Sequence, residues 1–467
     1  MGLFWKKEKQ TEVPQQETVP TADISQAEAA VTTEYTETHE SDSKKCYRQL
    51  ERQLRNGSQG VVLKLYIENF KRMNQLFGYD YCEELLEHIL KYLEQEMGCT
   101  VYRYVGVEFI AVLSGYTQGQ ALRLAERVIE RFNHGWEIRG TNCLCFVQIG
   151  LCSYPGYAMN VSEMLKCLDL AVSKAAEVGS NEYVLYDMKL HMQFLRRQTI
   201  AQYISRAIDQ NEIEVRYRPT YDTKTGRFTR AEFYMSMFVK DIGMVGSAEF
   251  LPIAEDTGQI RSVEYYALDR VAATITKLLK AGTEFESISI PISPVLLLQE
   301  DFLEELKYII GEHEIPAGKL AIEIDEYAMS IASVSITVLM QELAELGVEL
   351  ILNNFGSGYS GISTILELPA NTLKFDRMFI WQLETNPQAE PIIEGLVQIA
   401  DRMGKKLIAE GVETERQLDA LNRFGCAYQQ GFYYASALTE DVLLKIMDTS
   451  LEASAAILQR EKEKLGR

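Results

Sequence analysis

Acidic side chains, amides and a lysine recur in the second half of the chain at the points where predicted strands end. These residues are Glu323 and Glu326, Asn353 and Asn354, Lys374 and Asp376, and Glu410. Carboxylate and amide oxygens bind hard divalent cations, and two such cations lower the pKa of a bound water until it can act as a nucleophile. The carboxyl ends of barrel strands are where active sites lie. These residues are therefore candidates for one metal-dependent site.

The elements that would position these side chains alternate between short apolar strands and helices. We predict strands at Val215–Tyr217, Ser287–Ile292, Leu320–Ile324, Glu349–Leu352, Thr372–Phe375 and Lys406–Ile408. Helical stretches such as Ile336–Leu346 and Pro391–Met403 separate them. This alternation is typical of parallel strands joined by crossover helices. It closes most simply as an α/β, TIM-like (β/α) barrel.

The first half of the chain has a different pattern. Residues 1–43 lack periodic apolar spacing, which predicts a disordered tail. We then predict an α+β layer with mostly antiparallel pairing. Its strands are Gly60–Ile67, Thr100–Tyr104, Phe109–Leu113 and Cys143–Cys152, and its helices are Phe70–Phe77, Cys82–Met97, Ala121–Phe132 and Val161–Val178. A long helix over residues 187–211 links this layer to the second half, and residues 447–467 contain a C-terminal helix.

Composition narrows the partners that we expect. Lys and Arg total 47 against 67 Asp and Glu, and the formal net charge of -20 repels phosphate backbones, so we expect no nucleic acid. No apolar run reaches the ~18 to 20 residues of a membrane-spanning helix, and we expect no membrane span. The 8 cysteines lack C-x-x-C spacing. We interpret them as reduced thiols of a cytoplasmic protein.

Motifs in the second half occur in the order of a known family. The family signature E-A-L resembles Glu232-Phe233-Tyr234, and F-I-P-x-A-E-x-T-G resembles Phe250-Leu251-Pro252-Ile253-Ala254-Glu255-Asp256-Thr257-Gly258. The motif L-E-x-T-E resembles Ile322-Glu323-Ile324-Asp325-Glu326. The motif D-D-F-G resembles Asn353-Asn354-Phe355-Gly356. Residues 195–446 therefore resemble an EAL domain. The resemblance implies a barrel that cleaves cyclic di-GMP to a linear dinucleotide, with water activated between two Mg²⁺ or Mn²⁺ ions.

The same resemblance assigns roles to residues of this sequence. The positions that match metal ligands are Glu232, Glu323, Asn353, Asn354 and Glu410. Lys374 matches a catalytic lysine that assists the water, and Glu326 matches a glutamate that positions the adjacent loop. Glu232 and Gln430 match positions that contact the dinucleotide. Each of the three glutamates can equally be a residue kept for packing inside the barrel.

Several departures from the family pattern fall on the metal positions. Asn353 and Asn354 replace two aspartates, and Pro291 stands where the family has a metal-binding asparagine. Ser236 replaces an arginine that contacts ligand phosphate. Amide oxygens can still bind one ion weakly, but we expect no Mg²⁺ or Mn²⁺ to be bound stably. Two-metal hydrolysis is therefore not expected.

Residues 44–186 resemble a GGDEF domain, the nucleotide cyclase-like partner of EAL domains. Asn74 and Glu83 match guanine-contacting positions, and Glu108 keeps the signature glutamate as a weak candidate for metal binding. The signature otherwise reads Val105-Gly106-Val107-Glu108-Phe109, the expected metal-binding aspartate is Tyr66, and the late lysine is Ala176. Valine in place of glycine crowds the nucleotide pocket. Cyclase activity is not expected.

These observations favour a catalytically impaired GGDEF–EAL regulatory protein of cyclic di-GMP signalling. It would act by binding a protein partner, or as a receptor that binds cyclic di-GMP without hydrolysing it. The alternative is an active cyclic di-GMP phosphodiesterase with an atypical metal site and a GTP-sensing GGDEF domain. By resemblance alone, a homodimer is also expected.

Overall fold

The computed structural model describes residues 42–356 and 368–464, apart from the side chains of residues 329–333, 461, 462 and 464. The chain divides into two compact units, one that ends at Phe194 and one that begins at Leu195. Most of the predicted tail of residues 1–43 lies outside the described residues. Residues 42 and 43 begin a helix over 42–55.

The described part of the first unit, from residue 42 onward, contains seven strands. They are β1 (Gly60–Ile67), β2 (Val101–Arg103), β3 (Glu108–Ser114), β4 (Trp136–Ile138), β5 (Thr141–Cys143), β6 (Val147–Tyr154) and β7 (Glu182–Leu185). Five of them form one sheet in the order β2-β3-β1-β6-β7, while β4 and β5 form a separate hairpin. The pairs within the sheet are antiparallel except β6 with β7. The predicted α+β layer with mostly antiparallel pairing is confirmed.

Helices cover this sheet, and buried apolar residues hold β1 at its centre. The helices are residues 42–55, Phe70–Phe77, Tyr79–Met97, Gln118–Phe132 and Val161–Val178. Every residue of β1 except Tyr66 is buried. Gly60 begins the strand between β3 and β6, where an added Cβ would lie 2.4 Å from the Leu113 carbonyl oxygen. A larger residue at this position would push the neighbouring strands apart.

The prediction of one strand over Cys143–Cys152 is wrong. β5 ends at Cys143 in its hairpin with β4, and β6 begins at Val147 and pairs with β1. Between them Leu144 and Phe146 are exposed while Cys145 is buried. Residues 144–146, where the strand is interrupted, are apolar and contain no glycine, proline or asparagine to mark the break.

The second unit contains a closed barrel. Its strands are β8 (Ile213–Asp222), β9 (Arg227–Val239), β10 (Gly243–Gly246), β11 (Ser287–Pro291), β12 (Leu320–Asp325), β13 (Glu349–Phe355), β14 (Thr372–Phe375), β15 (Lys406–Glu410) and β16 (Tyr428–Gln430). The order is β10-β9-β11-β12-β13-β14-β15-β16-β8, and β8 also pairs with β9, which closes the sheet. The TIM-like (β/α) barrel is confirmed, with one departure: β8 runs antiparallel to both neighbours.

Helices surround the barrel and extend its ends. They are Met188–Asp209, Ser247–Asp256, Ile260–Lys280, Pro294–Leu297, Phe302–Glu312, Glu326–Glu345, Arg377–Thr385, Ala389–Arg402, Glu415–Phe424, Glu440–Ile446 and Leu451–Lys464. The first corresponds to the helix predicted over 187–211, and the last lies within 447–467. Among the described residues, no helix combines the length and apolar character needed to cross a membrane.

The end of the chain completes the barrel wall. The backbone of Tyr217 on β8 exchanges two hydrogen bonds with Leu438, both 2.7 Å long. Phe228 at the start of β9 donates to the Thr449 carbonyl at 3.1 Å and accepts from the Asp448 amide at 2.9 Å. Residues that follow β16 therefore pair with the first two strands of the barrel.

A buried ionic network fills the amino end of the barrel around Arg230. This guanidinium is 3% exposed and donates to Glu286 at 2.6 and 3.1 Å and to Glu349 at 2.8 Å. The hydroxyls of Ser287 and Thr372 each donate to Glu349 at 2.7 Å. Burial alone would raise the pKa of Glu286, but Arg230 and nearby Lys406 outweigh it and hold that pKa at about 2. The network ties together strands β9, β11, β13 and β14.

Replacing Arg230 by methionine should strongly destabilise the second unit. Methionine keeps most of the volume but leaves Glu286 and Glu349 without their shared cation, and such breakage of a buried pair costs about 3–5 kcal/mol. Urea unfolding followed by circular dichroism measures the difference. Arg227→Met is the control, since Arg227 lies on the same strand and pairs with Asp448 while 52% exposed. Equal unfolding midpoints for the two variants would contradict the role given to Arg230.

Candidate functional site

Lys374 lies at the centre of the barrel interior among three carboxylates. Its Nζ is 2.8 Å from Glu232 Oε2, 3.2 Å from Glu323 Oε2 and 3.3 Å from Glu410 Oε2. The side chains of Lys374 and Glu323 are each 1% exposed, and that of Glu232 is 6% exposed. The ammonium group is therefore shared by all three glutamates that the sequence offered as metal ligands.

Strand alternation brings these four side chains together. Leu373 and Phe375 flank Lys374 on β14 and join the main hydrophobic core, so the lysine between them faces the barrel interior. Glu232 lies on β9, Glu323 on β12 and Glu410 on β15. The Ser289 hydroxyl on β11 donates to Glu323 Oε1 at 2.6 Å and fixes its orientation.

Burial and charge act against each other in this cluster. Burial disfavours the ammonium of Lys374, but Glu232, Glu323 and Glu410 outweigh it and hold its pKa well above the ordinary value. Burial is the main reason that the pKa of Glu232 rises to about 7. Burial also opposes ionisation of Glu410, yet Lys374 and Arg218 lower its pKa. The cluster is held together by its own charges.

Arg218 is a second cation at the same centre. It lies opposite Glu232 in the pairing of β8 with β9. Its Nη1 donates to Glu410 Oε1 at 3.0 Å, and its guanidinium lies 4.2 Å from the ring centroid of Tyr234. Three carboxylates and two cations leave the cluster with one formal negative charge.

Gln430 is buried beside this cluster. Its Nε2 donates to the Arg218 carbonyl at 3.0 Å and to Thr220 Oγ1 at 3.3 Å. Its Oε1 has no hydrogen-bond partner in the described structure. The side chain therefore holds β8 to β16 and leaves one acceptor inside the barrel.

The two asparagines at the end of β13 are engaged in local hydrogen bonds. Asn353 Oδ1 accepts from the Asn354 amide at 2.9 Å, and Asn354 Nδ2 donates to Asp325 Oδ2. Glu326 is buried, and its Oε2 accepts from the Gly356 amide at 3.0 Å. Asp325 thus fixes the side chain of Asn354, and Glu326 fixes the backbone at Gly356.

The donor set around the barrel mouth does not fit two divalent ions. Pro291 offers no ligand atom, and the amide oxygen of Asn353 is already an acceptor within its own loop. The three glutamates converge on the ammonium of Lys374 instead of on an open space. Within residues 42–356 and 368–464, no group of three or more His, Cys, Asp or Glu side chains has the arrangement of a metal site.

Glu108, the candidate metal-binding residue of the first unit, is likewise paired with a lysine. Glu108 Oε1 lies 2.9 Å from Nζ of Lys64, a buried lysine that also contacts Asp169 at 2.6 Å. Burial lowers the pKa of Lys64, but Asp169 and Glu108 outweigh it and raise the pKa. Glu108 is thus an ion-pair partner of Lys64.

Asn74 and Glu83 do not share one environment. Asn74 lines a cavity of about 700 Å³ with Tyr66, Tyr79 and Val105, and its buried Oδ1 has no hydrogen-bond partner. Glu83 does not line that cavity and forms a bidentate ion pair with Arg103. The guanine-contacting roles that the resemblance implies for Asn74 and Glu83 stay predictions.

The sequence did not predict the cations and the hydroxyl group that contact the carboxylates of the two units. Lys64, Arg103, Arg218 and Ser289 carry no motif. The sequence does contain a signal for Arg218. Arg218 and Thr220 are two residues apart on β8 and therefore lie on the same face of the strand. A charged side chain on a buried face needs a partner of opposite charge. Lys64 gives a similar signal, since it interrupts an otherwise apolar strand.

Comparison with family models identifies two domains in tandem. The model described as the EAL domain matches residues 201–437, and the model described as the diguanylate cyclase GGDEF domain matches residues 43–182. Their order agrees with the order of the barrel and the α+β unit.

Curated proteins whose names refer to cyclic di-GMP enzymes are similar along most of this chain. The bifunctional diguanylate cyclase/cyclic di-GMP phosphodiesterase MucR of Pseudomonas aeruginosa is 25% identical over 398 residues, which are 85% of this chain and 58% of that protein. The cyclic di-GMP phosphodiesterase NbdA of the same organism is 25% identical over 381 residues, 81% of this chain and 48% of that protein. This chain spans about half the length of these relatives.

Solved structures support the same fold. The MucR phosphodiesterase in complex with c-di-GMP has a TM-score of 0.50 and 25% identity, and it covers 52% of this chain and 99% of that one. The S helix-GGDEF-EAL structure of Vibrio cholerae LapD has a TM-score of 0.56 and 20% identity, covering 88% of this chain and 100% of that one. The second likeness concerns the fold alone.

Replacing Lys374 by methionine should destabilise the barrel strongly. The change leaves three buried carboxylates with Arg218 as their remaining cation, and loss of one partner of a buried pair costs about 3–5 kcal/mol. Urea unfolding of the second unit measures the loss. The control is Lys277→Met, because Lys277 also pairs with a glutamate, Glu440, but is 52% exposed. An unchanged midpoint in the Lys374 variant would contradict an ionised cluster around this lysine.

Proposed function

The chain belongs to the EAL domain family, with a GGDEF domain in tandem before the barrel, and on that premise we propose that it is a non-hydrolysing regulatory component of cyclic di-GMP signalling. In this role the barrel keeps the family fold without a two-metal hydrolytic centre. The GGDEF unit correspondingly lacks cyclase activity.

The position of Lys374 carries this proposal. Two divalent ions need several anionic oxygens that point at them, and here the oxygens of Glu232, Glu323 and Glu410 are 2.8–3.3 Å from one ammonium. A metal ion would have to displace that ammonium from a site where it is 1% exposed. The displaced lysine would then be a buried cation beside the metal, which is electrostatically unfavourable.

The substitutions at the mouth support the same conclusion. Pro291 is opposite Glu323 in the pairing of β11 with β12, at a position where a ligand atom would be needed. Asn354 donates a hydrogen bond to Asp325, so its amide nitrogen is the group in contact with that carboxylate. An aspartate at 354 would place two acids against each other.

Cyclic di-GMP is the first ligand whose binding should be tested. The names of MucR and NbdA contain that dinucleotide, and the MucR phosphodiesterase structure holds it. In this chain Arg218 supplies a cation at the barrel mouth, although Glu410 already pairs with it. A receptor is therefore a second candidate function, with binding but no turnover.

Purified protein should not convert cyclic di-GMP to the linear dinucleotide in the presence of Mg²⁺ or Mn²⁺. Chromatography of the nucleotides after prolonged incubation measures the product. The variant that combines Asn353→Asp with Asn354→Asp should stay inactive, because Lys374 still occupies the centre and Pro291 offers no ligand. Turnover by the parent protein that Glu232→Ala abolishes would instead establish an active phosphodiesterase with an atypical metal site.

Ser236→Arg should strengthen binding of cyclic di-GMP if the barrel is a receptor. A hydrogen bond to a charged phosphate contributes about 1.5–3 kcal/mol, which corresponds to roughly tenfold or more in affinity. Isothermal titration calorimetry of parent and variant measures the change. Ser236→Gln is the matched control, since it adds bulk without charge. No heat from any of the three proteins would exclude the receptor role and leave protein binding.

A further inference from the structure

A cavity of about 700 Å³ lies beside the carboxyl end of β1 in the first unit. Its walls come from residues 66–79 and from the turn between β2 and β3. Apolar side chains around it are open to solvent, since Tyr79 is 74% exposed and Val105 is 59% exposed. Leu76 and Phe77 are exposed as well. Exposed apolar side chains around a concave site are typical of a binding surface.

Asn74 presents an unpaired acceptor in the wall of this cavity. Its Oδ1 atom is buried and has no hydrogen-bond partner within the described residues. A buried acceptor without a donor is unfavourable, whereas an N–H group that reaches it restores the lost hydrogen bond. An occupant that fits the cavity therefore combines aromatic or apolar surface with one N–H donor.

A residual negative charge lies beside the cavity. Glu108 lines the cavity and pairs with Lys64, and Lys64 also contacts Asp169. One lysine therefore faces two carboxylates, and this group keeps one formal negative charge. Lys71 also lines the cavity, but it is exposed to solvent, where its charge is screened. The site thus favours an occupant that carries cations next to its apolar part.

The chain enters the described part of the first unit next to the same cavity. Ser43 lies in the first turn of the helix over residues 42–55, and its Oγ donates to the Tyr104 carbonyl oxygen. Tyr104 directly precedes Val105 in the cavity wall. The part of the sequence that precedes residue 42 is therefore attached close to the cavity. A chain of this length spans on the order of 100 Å when fully extended, so its length does not limit access to the site.

One run near the start of the sequence has the chemistry that the cavity favours. Leu3, Phe4 and Trp5 are consecutive large apolar residues, and Lys6 and Lys7 follow directly. The indole N–H of a tryptophan is a hydrogen-bond donor in a group that has no acceptor. Between Lys7 and residue 42, large apolar residues occur singly. The run therefore combines an apolar cluster, a side-chain donor and two cations.

We propose that Leu3-Phe4-Trp5 of the same chain binds in this cavity, and that the indole N–H of Trp5 donates to Asn74 Oδ1. Lys6 and Lys7 then lie near the residual negative charge of the Glu108 group. Because the run is tethered to the unit that carries the cavity, its effective concentration there is roughly millimolar, and a weak contact is enough for occupancy. The inference concerns the first unit and is independent of the function proposed for the barrel.

The same run has the chemistry to bind two other surfaces. One is the cavity of a second copy of the chain. The other is a membrane interface, where aromatic and lysine side chains are also favoured. These occupants differ from the tethered contact in their dependence on protein concentration and on lipid, so experiments can separate the three.

Photo-cross-linking of the full chain tests the contact directly. In the variant Phe4→p-benzoylphenylalanine, irradiation should join position 4 to peptides that contain residues 66–79 or 105–108, which mass spectrometry identifies. The control is Tyr35→p-benzoylphenylalanine, which places the same group elsewhere before residue 42 and should not give these products. Cross-links between two chains that vanish on dilution would assign the run to a second copy and overturn the proposal.

Hydrogen exchange measures how far the run covers the cavity. The backbone amides of residues 66–79 and 105–108 should exchange about threefold faster in the triple variant Leu3→Ser, Phe4→Ser, Trp5→Ser than in the parent. This factor is 1 + C/Kd for a contact whose Kd is half the effective concentration C of the tethered run.

A matched control removes three apolar residues from the same part of the sequence: Val13→Ser, Val19→Ser and Ile24→Ser. Its exchange should equal that of the parent. All of the substituted positions precede the described domains, so both variants should keep the fold. Equal exchange in the parent and in the two variants would overturn the proposal.

The hydrogen bond between Trp5 and Asn74 has a separate readout. Trp5→Phe removes the indole N–H but keeps an aromatic ring, and it should raise the exchange of the cavity amides part of the way towards the triple variant. Asn74→Leu replaces the buried acceptor by an apolar group of similar size, so Trp5→Phe should have no further effect in that background. An equal effect of Trp5→Phe in both backgrounds would contradict this hydrogen bond.

Sedimentation with vesicles distinguishes a membrane surface from the cavity. The probe is a vesicle of equimolar phosphatidylcholine and phosphatidylserine, and the parent protein should remain in the supernatant because the run is held in the cavity. Sedimentation of the parent but not of the triple variant, together with equal hydrogen exchange of the two proteins, would assign the run to a membrane and overturn the proposal.

Discussion

A lysine buried among carboxylates is the constraint on which the barrel depends. Neither a lone ammonium nor three lone glutamates can be removed from water without a large electrostatic penalty, and here each offsets the penalty of the other. The strands β9, β12, β14 and β15 must keep their register for the four side chains to meet. The barrel interior thus contains two ionic layers, one around Arg230 at its amino end and one around Lys374 at its centre.

In the first unit, too, a buried lysine neutralises carboxylates. Lys64 projects from the central strand and neutralises Glu108 and Asp169. In both units, therefore, a lysine of the chain itself is the cation beside the signature acids. The charge of these acids is therefore balanced by cations that are covalently part of the chain, and the stability of each unit depends on these ion pairs.

Much of the fold could be predicted from the sequence, while the pairing inside the site could not. Gly60–Ile67 and Thr372–Phe375 were found because each is a short apolar run bounded by turn residues. Strand β9, which carries Glu232, was not predicted. Its charged residues Arg230 and Glu232 face the barrel interior, whereas charged residues in an alternating apolar and polar pattern normally indicate the solvent-facing side of a strand. The partners of Lys374 come from three other strands far apart in sequence. Their convergence depends on barrel closure, which no local pattern encodes.

The closure of the barrel by its last strands has a consequence for biosynthesis. β8 is made first, yet its partners are β16 and Leu438, and the edge of β9 bonds to Asp448 and Thr449. A nascent barrel therefore exposes an unpaired edge until these residues leave the ribosome. The α+β unit has all of its strands before residue 186 and can fold during translation. The barrel, by contrast, cannot complete its wall until residues 438–449 have been synthesised.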